Sequence, residues 1–476
     1  MPPKNQIAIL ILLICLAPSR LACQGQLPQP QGHPVKTLTL DQAIEYALAN
    51  YPAVRAAMER VSGARAGVSL ARASYLPRAD TLWQSNRATR NNIFGLLFPQ
   101  SVISPITGPV LPTTSSESVW GSAAGLLFSW EPFDFGYRRA TVDAARAGQN
   151  RALAETVVTR LEVGVTAINA FITSLAAQER VKAARADVER RQVFSKSLRV
   201  LVDNQLRPGA DLSRADAELA RARIGLIRAE QADRISRAVL SDVLGMTGTR
   251  VEIEAGPLLN LPQTTDIKAP AVSAHPIAVA EKARVDEARA REQIFERSYF
   301  PKFNFQSTVF GRGSGANTDG SVAGGVNGLG LDRPNWAAGM TVTFPIMDIF
   351  SIRAHKEIEK SNERAEADRY DQTIQDLTGQ LEEADAAVEG AQRVAENTPI
   401  ELHAARDTEA QARARYQAGL ATIIEVAEAQ SLLVQAETDD ALARLAVWNN
   451  LASLAAAHGD LQPFIRILQT KTQGGP

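Results

Sequence analysis

The stretch from Tyr51 to Pro77 reads YPAVRAAMERVSGARAGVSLARASYLP, and the stretch from His275 to Pro301 reads HPIAVAEKARVDEARAREQIFERSYFP. The two align without a gap at an offset of 224 and share Ala56/Ala280, Arg60/Arg284, Val61/Val285, Ala64/Ala288, Arg65/Arg289, Ala66/Ala290, Ser74/Ser298 and Tyr75/Tyr299. Ala-rich helices match one another by chance, but their framing does not. A proline at the first helical turn and a Ser-Tyr-x-Pro stop recur in both copies, so the chain reads as an internal duplication.

Each closing proline is followed by a β-like stretch, a Gly/Pro/Ser-rich loop and a second β-like stretch. The second strand of copy one places Trp120, Ala124, Leu126, Phe128 and Trp130 on one alternating face; copy two does the same with Trp336, Ala338, Met340, Val342 and Phe344. Period-two alternation with aromatics at both ends fits a lipid-facing barrel strand with aromatic girdles, and it equally fits a soluble sheet packed on one side. The first strands, near Arg78–Arg87 and Lys302–Phe310, alternate less regularly.

Beyond the strands lie two Ala-rich helical runs, Asp134–Asp203 and Asp348–Tyr416, aligned at an offset of 214. Each has roughly 70 residues, which spans about 100 Å at the helical rise, more than one globular core covers. Such helices must lie against others of comparable length. The apolar positions Leu212, Ala215, Leu219, Ala222 and their counterparts Val426, Ala429, Leu433, Ala436 give the coiled-coil spacing. Turns follow at Asn204–Gly209 and Gln417–Leu420, and shorter helices return. Pro399 predicts a kink or break near Asn397–Ile400, since an interior proline removes a helical hydrogen bond.

The segments are thus a signal peptide (1–23), an extended linker (24–37), repeat 1 (38–245: helix, strand pair 78–130, long helix 134–203, return helix 211–245), an equatorial linker (246–271), repeat 2 (272–461: helix, strand pair 302–345, long helix 348–416, return helix 422–458) and a tail without a readable role (462–476). Lys4 before the apolar run Ile7–Ala17 has the character of a secretory signal, which predicts export. Leu21-Ala22-Cys23 resembles the end of a lipobox, although Arg20 stands where an aliphatic residue belongs; Cys23 is therefore either a lipidation site or a cysteine near an ordinary cleavage site. Lys plus Arg is 51 against 52 Asp plus Glu, a balance that offers no basic face for nucleic acid. Both cysteines, Cys15 and Cys23, precede the folded body, so no disulfide framework or cysteine metal site is expected there. No catalytic constellation recurs, no cofactor motif is present, and the Gly-rich loop 311–330 lacks the lysine and helix of a phosphate-binding loop.

Two strand pairs give four strands, too few to close a barrel, and open edges are not tolerated in lipid. Closure by oligomerisation would give a membrane β-barrel continued by a helical tube. From about Leu38 to Leu461 the sequence resembles the TolC-like outer membrane efflux proteins, most specifically at Tyr416-Gln417-Ala418-Gly419-Leu420-Ala421-Thr422-Ile423-Ile424-Glu425-Val426 and in the duplicated Pro-bounded helices and strands. The resemblance implies a mainly α fold with a membrane β-barrel contribution, a homotrimer with a 12-stranded barrel and an α-helical periplasmic tunnel. It further implies an exit duct in the outer membrane of a diderm bacterium, docked to a periplasmic adaptor and an inner-membrane pump for efflux or type I secretion.

Carried onto this chain, the resemblance puts the two turns at the periplasmic entrance. Pro208, Gly209, Gly419 and Leu420 become adaptor-contact candidates, Gly419 being equally explicable as a residue that permits a tight turn. Asp203, Asp211 and Glu425 become candidates for rings of charge at the pore, against local roles: Asp211 as an N-cap, Glu425 in a first helical turn, Asp203 solvated. Trp120, Phe128, Trp130, Trp336 and Phe344 become the lipid-facing aromatics. Some relatives carry a basic residue in the second turn that latches a closed entrance; here that place holds Ala421, which leaves any latch to another residue. The loops Asn91–Glu117 and Gly311–Asn335 would face outward. A periplasm-spanning structural or adhesive stalk is the competing reading, and it has no need of alternating strands.

Overall fold

The computed structural model describes residues 37–89, 91, 114–249, 251–265, 267, 270–317 and 321–469. The leader and Cys23 lie outside the described residues. The order is β1 (Thr37–Leu38), α1 (Leu40–Asn50), α2 (Pro52–Ala73), β2 (Arg78–Thr89), β3 (Ser118–Trp130), α3 (Tyr137–Asp203), α4 (Gly209–Val243), β4 (Glu252–Ile253), two short 3-10 turns, α5 (Pro276–Arg297), β5 (Lys302–Ser314), β6 (Arg333–Thr343), α6 (Ile349–Gln417), α7 (Ile423–Ala457) and α8 (Gln462–Gln469).

The prolines act where the sequence put them. Pro52 and Pro276 occupy the first turns of α2 and α5, where a missing N–H is harmless. His275 caps α5, its Nδ1 accepting the Ile277 N–H at 3.1 Å. At the other end of α2, Trp130 Nε1 donates to the Tyr75 carbonyl at 3.2 Å and ties the Ser-Tyr-x-Pro corner to the sheet. Arg138 is buried at the same corner: Nε donates to Asp134 at 2.6 Å, Nη1 to the Ser74 carbonyl at 3.1 Å and Nη2 to the Glu131 carbonyl. Its guanidinium also lies 5.1 Å from the Tyr75 ring centre. In copy two the matching residue is Ile352, which makes no such ion pair, and Phe300 just past the end of α5 instead stacks across on Phe135 of copy one's corner at 5.3 Å.

The strands form one antiparallel sheet in the order β2-β3-β5-β6. Its register is unbroken, Trp83 opposite Ala124, Leu126 opposite Val309 and Val309 opposite Trp336. Directly opposed residues share a face, so the less regular β2 and β5 join the alternation of β3 and β6. One face carries Trp83, Leu126, Phe128, Trp130, Val309, Trp336, Met340 and Val342, all exposed. The other carries Arg78, Asp80, Gln84, Asn304, Gln306, Thr308, Arg312 and Thr341. On this second face Leu82, Ala123, Leu127 and Phe310 form a small apolar layer. Gly125 has no room for a side chain there, because an added Cβ would lie 2.6 Å from that of Phe310.

Helices α3 and α6 are the long members. In each copy the return helix packs its apolar stripe inward: Ala215 and Leu219 in α4, and Val426, Ala429, Leu433 and Ala436 in α7, are buried. The main core lies midway along α3, where Val163, Ile168, Phe171 and Leu175 meet α1, the end of α7 and α8. This part of α3 is apolar enough over 18 residues to cross a membrane by composition, but 56% of that window is buried within the chain. Residues 462–469, read as tail, form α8 and seat Phe464 against Trp448 at 6.1 Å.

Helix α6 runs through Pro399 without the expected break. Tertiary contacts outweigh the lost hydrogen bond: Ala395 and Leu402 are buried on either side, and Thr398 Oγ1 donates to Asp440 at 3.3 Å.

Gly125→Val is expected to destabilise the sheet by about 1–3 kcal/mol through overpacking against Phe310. Thermal unfolding followed by circular dichroism should show a lowered midpoint, and Phe310→Ala added in the same chain should not restore it, because the clash is with the Cβ that alanine keeps.

Candidate functional site

The two helical hairpins end side by side in turns of one design. In copy one the Leu206 N–H reaches the Leu201 carbonyl at 2.8 Å, and the Gln205 N–H reaches Val202 at 2.9 Å. In copy two the Leu420 N–H reaches Arg415 at 2.8 Å and the Gly419 N–H reaches Tyr416 at 3.0 Å. Both are Schellman closures, with the pivot residue in the left-handed region: Gln205 at φ 62° and Gly419 at φ 78°. Glycine suits that conformation and glutamine does not, so copy one's turn carries backbone strain that copy two's avoids. Each closure projects the next leucine into solvent, Leu206 at 68% and Leu420 at 71% exposure. Leu420 was a contact candidate from sequence; Leu206 was missed, although the offset of 214 pairs them.

Pro208 and Gly209 are exposed, with Pro208 as the N-cap of α4. Asp211 is therefore the third residue of that helix and not its N-cap. Its carboxylate is taken up elsewhere, accepting the Tyr416 hydroxyl at 2.8 Å. Tyr416 is 2% exposed, edge-on to Phe194 at 5.6 Å. Arg207 lies over its ring at 4.6 Å and donates from Nη2 to its carbonyl at 2.5 Å. Arg207 corresponds to Ala421 at the offset of 214, so the cation absent from the second turn is supplied by the first. Arg207, Asp211 and Tyr416 together join the end of α6 to the start of α4, and with it one copy's tip to the other's.

Glu425 forms a capping box at the start of α7: it accepts the Thr422 N–H at 3.0 Å, and its own N–H reaches Thr422 Oγ1 at 3.4 Å. The Thr422 backbone hydrogen bond, then the Thr422 hydroxyl, hold the Glu425 carboxyl below the usual range, with Arg415 adding its charge against slight desolvation. Asp203 is exposed at the end of α3. The structure thus brings Asp211 into a built contact, commits Glu425 to its own helix and leaves Asp203 solvated.

Of the aromatic candidates, Trp336, Phe344, Trp130 and Phe128 are exposed, at 79%, 61%, 41% and 38%. Trp120 is half-buried at the outer end of the same face, 5.6 Å beneath the Arg87 guanidinium. Among the described residues no group of His, Cys, Asp and Glu side chains is arranged to hold a metal.

A family model described as outer membrane efflux protein matches residues 43–246 and again 272–460, one match for each structural repeat. The chain belongs to the outer membrane efflux protein family. Among relatives, the pyoverdine export outer membrane protein OpmQ of Pseudomonas putida is 23% identical over 430 residues, covering 87% of this chain and 84% of OpmQ. Protein CyaE of Bordetella pertussis is 24% identical over 443 residues, covering 91% and 86%. The fold matches the CmeC outer membrane channel of Campylobacter jejuni with a TM-score of 0.71 at 17% identity, over 88% of this chain and 85% of CmeC. It matches the outer membrane protein VceC of Vibrio cholerae at 0.69 and 19%, over 88% and 96%. The efflux-family member described here is an outer membrane protein, its family and neighbours being channels, and its four-stranded sheet is a barrel segment.

The Tyr416 hydroxyl is pushed up to about 12 by burial, then by its hydrogen bond to Asp211 and that group's charge, against the opposing charge of Arg207. A folded value above the ordinary phenol value of 10.0 means the tip contact is fully present below about pH 10 and is lost as pH rises towards 12. Tyrosinate absorbance should show one late-titrating phenol in the wild type, and Asp211→Asn should bring its midpoint down.

Proposed function

We propose that the protein is a passive homotrimeric duct, not an enzyme, through which solutes enter at the joined helical tips and leave through a 12-stranded barrel. The carrying observation is the sheet itself: one face is apolar, the other polar, and among the described residues neither edge, β2 or β6, has a partner strand. An edge in lipid must be paired, and three copies of four strands close a barrel that puts Trp130, Trp336 and Phe344 against lipid and the polar face around water. The helices then continue this tube for about 100 Å into the periplasm. A stalk would have no use for the polar inner face, which weighs against the structural reading.

In this reading energy and cargo choice come from partner proteins. Leu206 and Leu420, on the same tip as Pro208, Gly209 and Gly419, present paired apolar knobs suited to a periplasmic adaptor that couples the duct to an inner-membrane pump. OpmQ is named for pyoverdine export, which supports small-molecule efflux as the leading use. Asp203, Asp211 and Glu425, repeated three times around the axis, would give the entrance a cation preference. The Arg207–Tyr416–Asp211 contact serves as the latch, because separating the two hairpins requires breaking it.

Single-channel recording in planar bilayers tests this reading. The wild type should pass small, cation-selective currents, and Tyr416→Phe combined with Arg207→Ala should raise conductance about tenfold, the loss of roughly 1.4 kcal/mol of latch energy shifting the open population by that factor. Asp203→Ala, Asp211→Ala and Glu425→Ala together should weaken the cation preference. A folded, inserted protein that passes no current even with the latch removed would contradict the duct.

For the adaptor surface, Leu206→Asp with Leu420→Asp should abolish export in cells while leaving bilayer conductance in place. Export at the wild-type level would remove the two leucines from the docking surface.

A further inference from the structure

The polar face of the sheet is not evenly charged. Among its described strand residues, Arg78, Lys302, Arg312 and Arg333 are cationic, and Asp80 is the one carboxylate. Asp80 is held by Arg78 at 2.9 Å near the helical end. Arg312 and Arg333 sit at the opposite, outer end, directly across the β5–β6 ladder from one another. Like charges in directly opposed positions cost an antiparallel pair stability, so this pairing concentrates positive charge at the outer end of the sheet.

The surroundings favour a polar guest. Arg312 rests its guanidinium over the Phe310 ring at 5.3 Å, two residues along the same strand and on the same face. In the same cross-strand row lie Gln84 and Ala123, and in the next row outward lies Asn86 opposite Gly121. Asn86 is 6% exposed, and neither its amide nitrogen nor its amide oxygen has a hydrogen-bond partner. Asp332, just before β6, sets its carboxylate beside Gly330.

We infer that Arg312 and Arg333 form an oxyanion-selective ring at the outer mouth of the barrel, taking carboxylate- or phosphate-bearing solutes as they leave. The inference rests on the duct reading, which supplies threefold repetition and hence six guanidiniums around one lumen. Guanidinium groups match planar oxyanions by paired N–H donors, and a ring of them concentrates anions in a water-filled pore. The basic mouth would then concentrate anionic cargo at the exit once it has passed the tip.

The experiment uses the latch-opened full chain, Tyr416→Phe with Arg207→Ala, in planar bilayers under a KCl gradient, with citrate added on the outer side as probe. Arg312→Gln with Arg333→Gln should lower the chloride-to-potassium permeability ratio about threefold or more and relieve block by citrate. Arg312→Lys with Arg333→Lys keeps the charge, and should keep the permeability ratio while weakening citrate block. An unchanged ratio and unchanged block in the glutamine variant, with normal conductance, would overturn the ring and leave the duct standing. Absence of current in the latch-opened parent would overturn the duct and the ring together.

Discussion

A β-strand edge cannot be left open in hydrocarbon, and this constraint organises the whole molecule. Among the described residues the sheet has four strands, two unpaired edges and one apolar face, so in a bilayer those edges require partners. The helices inherit that requirement. Because β3 leads into α3 and β6 into α6 through tight corners, the sheet sets the course of both long helices. The corner of copy one is fixed by Arg138, whose charge is met by Asp134 and whose remaining donors reach two backbone carbonyls. Copy two has Ile352 in place of Arg138, and its Phe300 stacks on Phe135 of the copy-one corner, so an aromatic contact ties the two corners together.

At the far end, duplication becomes division of labour. Both turns use the same backbone closure, yet only copy two has glycine at the pivot, and copy one places an arginine where copy two has alanine. That asymmetry lets one tip grip the other. Arg207 and Asp211 come from copy one, Tyr416 from copy two, and the phenol between them is buried at the point where the hairpins meet. A ring, a carboxylate and a guanidinium gathered at one partly buried point reinforce one another as a small hydrogen-bonded network.

The period-two pattern of β3 and β6, the Pro-framed helices and the constant offset made the architecture legible in the sequence. β2 and β5 were legible as strands too, but their faces alternate less clearly, because Ser85 and Ser307 interrupt the apolar side; cross-strand register, which a single strand cannot reveal, restores the pattern. The continuous helix through Pro399 was hidden for a similar reason, since the contacts of Thr398, Ala395 and Leu402 come from α7, distant in the chain. At the tip, Gly419 and Leu420 were readable as turn residues. The partnership of Asp211 with Tyr416 joins positions 205 apart and required coordinates. Arg207 could have been found, for the same offset that pairs the helices pairs it with Ala421.

Closure by self-association is the claim on which the other readings depend, and native mass spectrometry of the detergent-extracted protein tests it most directly. The predicted result is a complex of three chains that persists after gentle removal of the micelle. A folded, membrane-inserted monomer, or a complex of any other closed number, would contradict the account.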